Sequence, residues 1–254
     1  QQLNGDWAFA IWDARERKLF ASRDRAGVRP LFYAQTPQRF IFASEVKAVL
    51  AHGGLDRALD VQALDDVFTF WAPVAPRTCF EQVSELPPGH CLSVQDGRVR
   101  TWRYWAPDFS ETLRMGEHDA AQRLLELLAD ASRIRLRSDV PVGAYLSGGL
   151  DSSVITSLVN GLAGERLRTF SVTFDDAHLD ESSYQQAVVD QLQTEHQSIR
   201  CSYDDICAVF PDVVRHAEKP LLRAAPAPLY LLSKLVRDAS FKVVLTGEGA
   251  DEYL

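Results

Sequence analysis

The sequence lacks the cysteine and histidine spacing that a metal–thiolate site requires. No Cys-x-x-Cys pair is present, and no histidine cluster completes a zinc-binding pattern. Scattered cysteines in a chain of this size are typical of reduced, buried side chains, and this usage favours the cytoplasm. The four cysteines are Cys79, Cys91, Cys201 and Cys207.

The sequence also lacks long apolar runs and an excess of positive charge. No run reaches the roughly 18 apolar residues that a membrane-spanning helix needs, and no signal peptide opens the chain. The formal net charge is −8, whereas nucleic-acid-binding proteins usually carry a dense basic patch. We therefore expect no membrane partner, no nucleic-acid partner and a cytoplasmic location. A hydrophobic fraction of 46% is sufficient for an ordinary globular core.

An initiator methionine is also missing. Asn4-Gly5-Asp6 leads straight into a strand pattern, and residues 247–254 stop just after a turn that should open a helix. We therefore expect this chain to be a piece of a longer protein. A complete domain with short termini is the alternative.

The first hundred residues predict antiparallel β structure. Trp7, Phe9 and Ile11 share one face of an alternating segment, and turn-type residues separate the short segments that follow. Asp96-Gly97 is a strong hairpin signal, and a helix is predicted over 59–70 with Asp60 near its start. This spacing favours a β-sandwich or a meander. The further predicted strands span residues 18–22, 30–35, 39–43, 91–94 and 99–104.

The pattern changes after a polar stretch at 107–119 that has no periodicity, so we place a domain boundary there. From Ala121 onward, apolar residues recur at helical spacing. Strands then alternate with helices, which predicts a mainly parallel, doubly wound α/β sheet with ligands at the carboxyl ends of its strands. The predicted strands span 142–146, 167–174 and 241–246, and the predicted helices run to residue 159 and over 181–192 and 229–238.

A glycine turn at Gly148 and Gly149 joins the first of these strands to its helix. Adjacent glycines allow a sharp turn and close approach of a ligand, and a new helix presents unpaired N–H groups and a positive dipole end. Asp151 supplies a carboxylate that can hold a phosphate through Mg²⁺. Hydroxyl donors for phosphate oxygens come from Ser147, Ser152 and Ser153.

The lysine of a Walker loop is absent from this turn. The pattern is instead that of loops that grip pyrophosphate in enzymes that split ATP between its α and β phosphates. The alternative is a serine-capped helix after a glycine-rich turn, in which Asp151 only complements the helix dipole. A buried strand before the turn and a helix after it favour the phosphate-binding interpretation.

The string Ser-Gly-Gly-Leu-Asp-Ser-Ser at 147–153, with its Asp-Val-Pro-Val-Gly entry at 139–143, closely resembles the loop of glutamine-hydrolysing asparagine synthetases. Segments 224–233 and 246–252 agree with that family as well. In the first half, segments 4–10, 23–31 and 42–48 resemble the later strands of the family's N-terminal-nucleophile glutaminase. The likeness runs in collinear order over nearly all 254 residues.

The resemblance implies two incomplete domains. Residues 1–107 would be the C-terminal portion of a class II glutamine amidotransferase domain, an α+β part with antiparallel β structure of the N-terminal-nucleophile glutaminase type. Residues 108–119 would be a linker. Residues 120–254 would be the N-terminal portion of an ATP-pyrophosphatase asparagine synthetase domain, an α/β doubly wound parallel sheet of the adenine nucleotide alpha hydrolase type.

The resemblance also implies a reaction. ATP adenylates the side-chain carboxylate of aspartate, ammonia from glutamine displaces AMP, and asparagine and pyrophosphate are released, with Mg²⁺ as a further cofactor. Asp151 and Asp251 are the implied metal ligands, and Glu248 is the implied catalytic residue beside the acyl-adenylate. Leu146 and Val172 would offer backbone contacts to adenine. The remaining implied nucleotide-binding residues are Ser147, Gly148, Gly149, Asp151, Ser152, Ser153, Thr246 and Gly247.

The glutaminase half carries less of its machinery. That activity needs an N-terminal cysteine, whereas this chain begins with Gln1, and its first cysteine is Cys79. We assign no glutaminase residues, interpret 23–31 as scaffold and expect the chain itself to be inactive as a glutaminase. Asp180 and Glu181 resemble a family Asp-Glu-Ser segment, and we interpret them as helix-capping residues.

Three alternatives stay open. A family relative of the β-lactam synthetase type would adenylate another carboxylate and use an internal amine, and other amidotransferase relatives would use a different acceptor. A non-enzymatic nucleotide-binding remnant is the third alternative. The expected partners are aspartate, glutamine or ammonia, and ATP, and a homodimer is left open.

Overall fold

The computed structural model describes residues 3–110 and 112–250. The chain divides into two compact units, and each contains two separate stretches of sequence. The first unit comprises Gln1–Thr112 and Val214–Leu222, and the second comprises Leu113–Val213 and Arg223–Leu254.

In its described residues, the first unit contains two antiparallel sheets and two complete helices. In chain order its elements are β1 (Ala8–Asp13), β2 (Lys18–Arg23), β3 (Phe32–Gln35), β4 (Phe40–Ala43), α1 (Val46–Ala51), α2 (Val61–Phe70), β5 (Ser84–Glu85), β6 (His90–Gln95) and β7 (Arg98–Arg103). One sheet has the order β1-β2-β6-β7 and the other β4-β3-β5. Side chains from both sheets pack around Ala21, Leu31, Leu86 and Leu92.

The predicted antiparallel strands are confirmed, with ends shifted by one or two residues. Asp96 and Gly97 both have left-handed φ angles, as the predicted two-residue hairpin between β6 and β7 requires. Asp60 caps α2 by accepting the N–H of Ala63 at 3.0 Å. The meander alternative is wrong, because β2 pairs with β6 and not with the next strand along the chain.

Two adjacent buried charged residues, Arg23 and Asp24, hold the segment that follows β2. Asp24 is 1% exposed and accepts the N–H groups of Val28 and Arg29 at 2.9 Å each. The Arg23 guanidinium donates to the Glu85 carboxylate at 2.6 Å, and it also donates to the carbonyl oxygens of Gly27, Arg29 and Leu86. Buried ionic groups are tolerated only when their hydrogen bonds are made, and these are. The contacts are those of a structural scaffold.

Helix α1 was not predicted from the sequence. It is six residues long and has no side-chain cap of its own. The carboxylate of Glu218 accepts the N–H groups of Val46 and Lys47 at 2.6 and 2.7 Å, so a distant residue caps this helix. The Nζ atom of Lys47 lies 3.3 Å from the same carboxylate.

The second unit is an α/β structure with a parallel sheet. In chain order its elements are α3 (Glu117–Arg135), β8 (Val142–Tyr145), α4 (Leu150–Leu162), β9 (Arg168–Phe174), α5 (Ser182–Leu192), β10 (Glu195–Cys201), α6 (Tyr203–Ala217), α7 (Pro226–Asp238) and β11 (Val243–Leu245). The last residues of α6 are grouped with the first unit. The strand order is β10-β9-β8-β11, and all three pairings are parallel.

Helices cover both faces of this sheet, as predicted. On one face Ala144 packs with Val159 of α4, and on the other Phe170 packs with Leu232 of α7. Strand β10 and helix α6 were not predicted. The sequence of β10 is mostly polar and α6 contains Pro211, so neither has the simple apolar pattern that reveals an element.

The strand order reverses beside β8. Chain order runs from β8 through β9 to β10 in one direction, and β11 then lies on the opposite side of β8. In open parallel sheets this reversal leaves a crevice at the carboxyl ends of the two diverging strands, where ligands bind. The segments at 146–149 and 246–249 follow these two strands.

Cys79, Cys91 and Cys201 are buried, as expected, and all four cysteines are free. Cys207 is exposed, so the expectation of a buried side chain is wrong there. Burial raises the pKa of the Cys79 and Cys201 thiols. Across the described ranges, no helix is long and apolar enough to cross a membrane.

We expect Asp24→Asn to lower the free energy of unfolding by about 2 kcal/mol, because an amide nitrogen would face one of the two N–H donors that the buried Asp24 carboxylate accepts. Asp13→Asn is the matched control: one oxygen of the exposed Asp13 accepts both of its N–H donors, and an amide oxygen can replace it. That change should stay within about 0.5 kcal/mol. Urea denaturation measures both values, and equal effects would contradict the scaffold role.

Candidate functional site

A cavity of about 630 Å³ opens at the carboxyl ends of the parallel strands in the second unit. The glycine loop after β8 lines one side, and the loop after β11 lines another. The cavity is large enough for a ligand of nucleotide size. Its apolar wall includes Tyr145, Leu179, Ile206, Pro228, Leu229 and Leu232.

Gly148 stands where the loop turns under α5. Its φ of +90° lies in the left-handed region that side chains disfavour. A Cβ atom there would lie 3.0 Å from the Cβ of Tyr184 and 3.1 Å from the backbone nitrogen of Gln185. Glycine therefore meets both a conformational requirement and a steric one at this position.

Serine hydroxyls hold the loop together from within. Ser152 is buried, and its Oγ lies 2.8 Å from the Ser147 Oγ and accepts the Ser147 N–H at 3.2 Å. The Ser153 hydroxyl donates to the Gly149 carbonyl at 2.7 Å. The hydroxyls predicted to donate to phosphate oxygens thus take part in the loop's own hydrogen bonds, which fix its shape.

Helix α4 begins in this cavity. Its first intrahelical hydrogen bond joins the Ser153 N–H to the Gly149 carbonyl at 3.1 Å, so the three preceding helical amides lie outside the helix ladder. Asp151 is exposed in the first turn, and its carboxylate makes no hydrogen bond or ion pair with a described residue. Amides and a dipole end of this kind form an anion-binding arrangement.

The loop after β11 touches the start of α4. A Cβ atom on Gly247 would lie 2.6 Å from the backbone nitrogen of Ser152 and 2.7 Å from the carbonyl carbon of Asp151. Backbone atoms at these distances leave space only for glycine. Thr246 and Glu248 flank this contact, are exposed and line the cavity.

Leu146 and Val172 both line the cavity, and each has backbone hydrogen bonds inside the protein. The Leu146 N–H donates to the Phe170 carbonyl at 2.9 Å, and the Ser171 hydroxyl donates to the Leu146 carbonyl. The Val172 carbonyl accepts from Gln185 at 3.0 Å. A carbonyl oxygen has two lone pairs, so one further donor per carbonyl is compatible with these contacts.

One of the two candidate metal ligands can be located. Asp151 lines the cavity, whereas Asp251 lies outside the described residues. Over 3–110 and 112–250, no group of three or more His, Cys, Asp or Glu side chains could hold a metal ion. An exposed carboxylate beside a glycine turn at a helix start still fits a magnesium ion that keeps most of its ligands as water and phosphate oxygens.

Helix capping was predicted for Asp180 and Glu181. Glu181 occupies the N-cap position of α5, but its side chain makes no capping hydrogen bond, so that expectation is wrong. Asp180 accepts the Phe174 N–H at 3.1 Å and the Ser182 hydroxyl, which ties the end of β9 to the start of α5. These two hydrogen bonds lower the pKa of Asp180, the Ser182 contact most strongly.

Several cavity residues were missed from the sequence, among them Gln185 and Tyr203. Gln185 is buried and lines the cavity, yet nothing in the local pattern of α5 distinguishes a buried glutamine. Tyr203 also lines it, and its hydroxyl donates to the Asp176 carboxylate at 2.9 Å. That hydrogen bond raises the pKa of Tyr203. Its segment was not predicted to be helical, so its proximity to the cavity could not be inferred.

The cavity wall carries charge of one sign. Its charged side chains within the described ranges are Asp151, Glu181 and Glu248, and no lysine, arginine or histidine joins them there. Backbone amides and the dipole of α4 are therefore the positive groups that this wall offers to an anion.

The first unit and the second match different family models. A model described as asparagine synthase matches residues 123–254, and a model described as a glutamine amidotransferase domain matches residues 1–105.

Curated relatives resemble the chain over almost its whole length. The chain is 32% identical over 265 residues to glutamine-hydrolyzing asparagine synthetase 3 of Bacillus subtilis, covering 98% of this chain and 43% of the relative. It is 32% identical over 269 residues to amidase chyE of Penicillium rubens, covering 99% of this chain and 39% of the relative. The chain thus spans about two fifths of the length of these relatives.

Similarity to solved structures is weaker. The NH3-dependent NAD synthetase from Campylobacter jejuni is similar at 18% identity and a TM-score of 0.35, covering 48% of this chain and 54% of that chain.

The second unit is a parallel α/β domain whose ligand cavity lies at the reversal of strand order, with a glycine loop opening onto a helix N-terminus. This architecture is accompanied by a family match over more than half of the chain. The chain belongs to the asparagine synthase family.

We expect Gly247→Ala to destabilise the second unit by about 2 kcal/mol, because the added methyl group would force the backbone of α4 to move. Gly161→Ala is the control, since that glycine lies in α4 with open space around it and should stabilise the protein by about 0.5 kcal/mol. Urea denaturation measures both. A neutral Gly247→Ala would contradict the close contact of the two loops.

Proposed function

We propose that the second unit is the nucleotide-binding part of an ATP-dependent amide-forming ligase that converts aspartate to asparagine. In this proposal the aspartate side chain is activated as a β-aspartyl-adenylate, ammonia comes from glutamine hydrolysis, and AMP and pyrophosphate are released. The observation that carries the proposal is the contact of the loop at 246–249 with the first turn of α4, at the mouth of the glycine loop.

Pyrophosphate binding is assigned to backbone groups. The amides of Leu150 and Asp151 precede the first hydrogen bond of α4 and would be available to phosphate oxygens, whereas the backbone nitrogen of Ser152 lies against Gly247. Gly148 and Gly149 leave the approach free of side chains, while Ser147, Ser152 and Ser153 keep the loop in shape through their own hydrogen bonds. A loop held in this way needs little reorganisation when the anion binds.

Adenine is assigned to the edge where β8 and β9 end. Leu146 and Val172 line the cavity there, and their backbone carbonyl groups would offer the contacts to adenine that the family resemblance implies. The apolar wall around Tyr145 and Leu232 would bury one face of a flat base. The same proposal includes a fold of the adenine nucleotide alpha hydrolase type for the second unit.

Activation of the substrate explains why ATP is needed. A carboxylate resists nucleophiles because its negative charge repels them and oxide is a very poor leaving group, whereas AMP leaves readily from an acyl-adenylate. The loops at 147–149 and 246–249 would hold the reacting groups close together, which lowers the entropic part of the barrier. Glu248 would assist adenylate formation and accept a proton as ammonia attacks.

A divalent cation is part of the proposal. Asp151 is the described carboxylate that would hold Mg²⁺, with Asp251 proposed as the second ligand. When bound, the ion would neutralise charge on the departing pyrophosphate. Asp151 is itself negative, and the other described charged side chains of the cavity wall are also acidic. A bound cation is therefore necessary to neutralise the phosphates of an anionic ligand.

The supply of ammonia is assigned to a glutaminase part of the longer protein. The match of residues 1–105 to a glutamine amidotransferase domain supports it. The identity of the substrates has an alternative, because a relative named an amidase is as similar to the chain as one named an asparagine synthetase. A different carboxylate, or an amine in place of ammonia, would use the same nucleotide site.

We expect the full-length protein to exchange labelled pyrophosphate into ATP only when aspartate is present. Exchange requires a reversible adenylation step, so its dependence on aspartate identifies the activated carboxylate. Exchange that appears with another carboxylate and not with aspartate would contradict the proposed substrate while keeping the proposed chemistry.

We expect Asp151→Asn to reduce this exchange about 100-fold or more, because the variant loses the charge that would hold a metal ion on pyrophosphate. Glutamine hydrolysis should stay nearly unchanged. Asp204→Asn is the matched control, since Asp204 is an exposed acid in the first turn of α6 and lies outside the cavity wall. Equal loss of exchange and glutamine hydrolysis would indicate that Asp151 acts in folding instead.

A further inference from the structure

Helix α5 buries one residue, and that residue is polar. Gln185 is 4% exposed, whereas the other residues of the helix are partly or fully exposed. A buried carboxamide costs free energy unless its hydrogen bonds are made, so an aliphatic side chain would be the usual choice at such a position. The contacts of this side chain therefore indicate what it does.

The Gln185 carboxamide spans the gap between two strand ends. Its Nε2 donates to the Ser147 carbonyl at 3.3 Å and to the Val172 carbonyl at 3.0 Å. The backbone bonds between these strands end just before, where the Leu146 N–H meets the Phe170 carbonyl at 2.9 Å. One NH₂ group thus continues the connection between β8 and β9 beyond the point at which their backbones separate.

The two carbonyl groups belong to different parts of the proposed nucleotide site. Ser147 begins the glycine loop assigned to pyrophosphate, and Val172 lies on the edge assigned to adenine. Between them the loop packs against the same glutamine, since a Cβ on Gly148 would lie 3.1 Å from its backbone nitrogen and 3.3 Å from its Cγ. A side chain at residue 148 would therefore collide with Gln185, so the loop can approach this glutamine only with glycine at that position.

We propose that Gln185 is a positioning residue that sets the distance between the pyrophosphate loop and the adenine edge. The inference rests on the proposed nucleotide function, because it assigns the two bridged carbonyl groups to the two ends of ATP. Gln185 acts through the backbone of residues 147 and 172 and needs no contact with the nucleotide. Its role requires a side chain that donates two hydrogen bonds from one nitrogen.

Two substitutions remove the donors in different ways. Gln185→Met keeps the length of the side chain and donates no hydrogen bond. Gln185→Glu places a carboxylate opposite two carbonyl oxygens, and burial also disfavours its charged form. The charged form of this glutamate is also disfavoured by the other acidic groups on the cavity wall, which are Asp151, Glu181 and Glu248. Arg168, the basic residue of β9, is paired with Glu195 at 2.8 Å.

These properties predict a pH-dependent defect in Gln185→Glu. The introduced carboxyl group should be neutral at low pH, where it can donate one hydrogen bond, and charged at high pH, where it repels both carbonyl oxygens. The loss of ATP affinity relative to the wild type should therefore be largest at pH 8.5 and shrink as the pH falls to 5.5. Gln185→Met should show a loss that does not vary with pH.

The matched control is Gln186→Glu. Gln186 is exposed on the next position of α5 and donates to Asp190 at 2.7 Å. The same chemical change there adds the same charge to the same helix without touching either strand end. It should leave ATP affinity and its pH profile unchanged.

The experiment combines a nucleotide readout with one that needs no nucleotide. Binding of a fluorescent ATP analogue to the full-length protein and its variants is measured from pH 5.5 to 8.5. Amide hydrogen exchange is measured without ATP in peptides that cover residues 146–153 and 170–174. We expect the affinity for the analogue to fall at least about tenfold in Gln185→Met, and exchange in both peptides to rise more than elsewhere in the second unit.

Each outcome decides between the two proposals. Wild-type protein that fails to bind the analogue contradicts the nucleotide function, and the exchange data still test the bridge. Wild-type binding combined with unchanged affinity and unchanged exchange in Gln185→Met overturns the positioning role. Increased exchange spread evenly over the second unit, with no pH dependence in Gln185→Glu, also overturns it, because that result describes general destabilisation.

Discussion

The close contact between Gly247 and the first turn of α4 is the constraint on which the site depends. A Cβ atom at residue 247 would lie 2.6 Å from the Ser152 nitrogen, so two loops that follow different strands meet backbone to backbone. This contact places Glu248 beside the glycine loop although about a hundred residues separate them in sequence. The parallel sheet makes it possible, because β8 and β11 are neighbours whose carboxyl ends share one edge.

The glycine loop is held in shape by its own hydrogen bonds. The Ser147 and Ser152 hydroxyls lie 2.8 Å apart, and the Ser153 hydroxyl bonds back to Gly149. Backbone amides are left as the donors at the helix start, and the described charged residues of the cavity wall are acidic. An anion bound here would be recognised by fixed dipoles instead of by lysine or arginine side chains, and a fixed dipole needs no reorganisation.

Sequence patterns predicted the elements that have simple periodicity or strong turn residues. The hairpin at Asp96-Gly97 and the helix with Asp60 near its start are confirmed, because local geometry requires those residue types at those positions. Helix α6 was missed because Pro211 interrupts a helical pattern, and β10 was missed because most of its residues are polar. The expected capping by Glu181 is wrong because its side chain makes no bond at the helix start.

By itself, the sequence determined the glycine loop, the alternation of strands and helices and the family resemblance, because each depends on residues that are close together along the chain. Only the tertiary structure decided how distant residues complete these elements. Gln185 bridges two strand ends and donates to the carbonyl of Ser147, which lies 38 residues away in sequence. Glu218 caps α1 although it lies 172 residues beyond Val46. No local pattern encodes such contacts, since they form only after packing brings the two backbones within hydrogen-bonding distance.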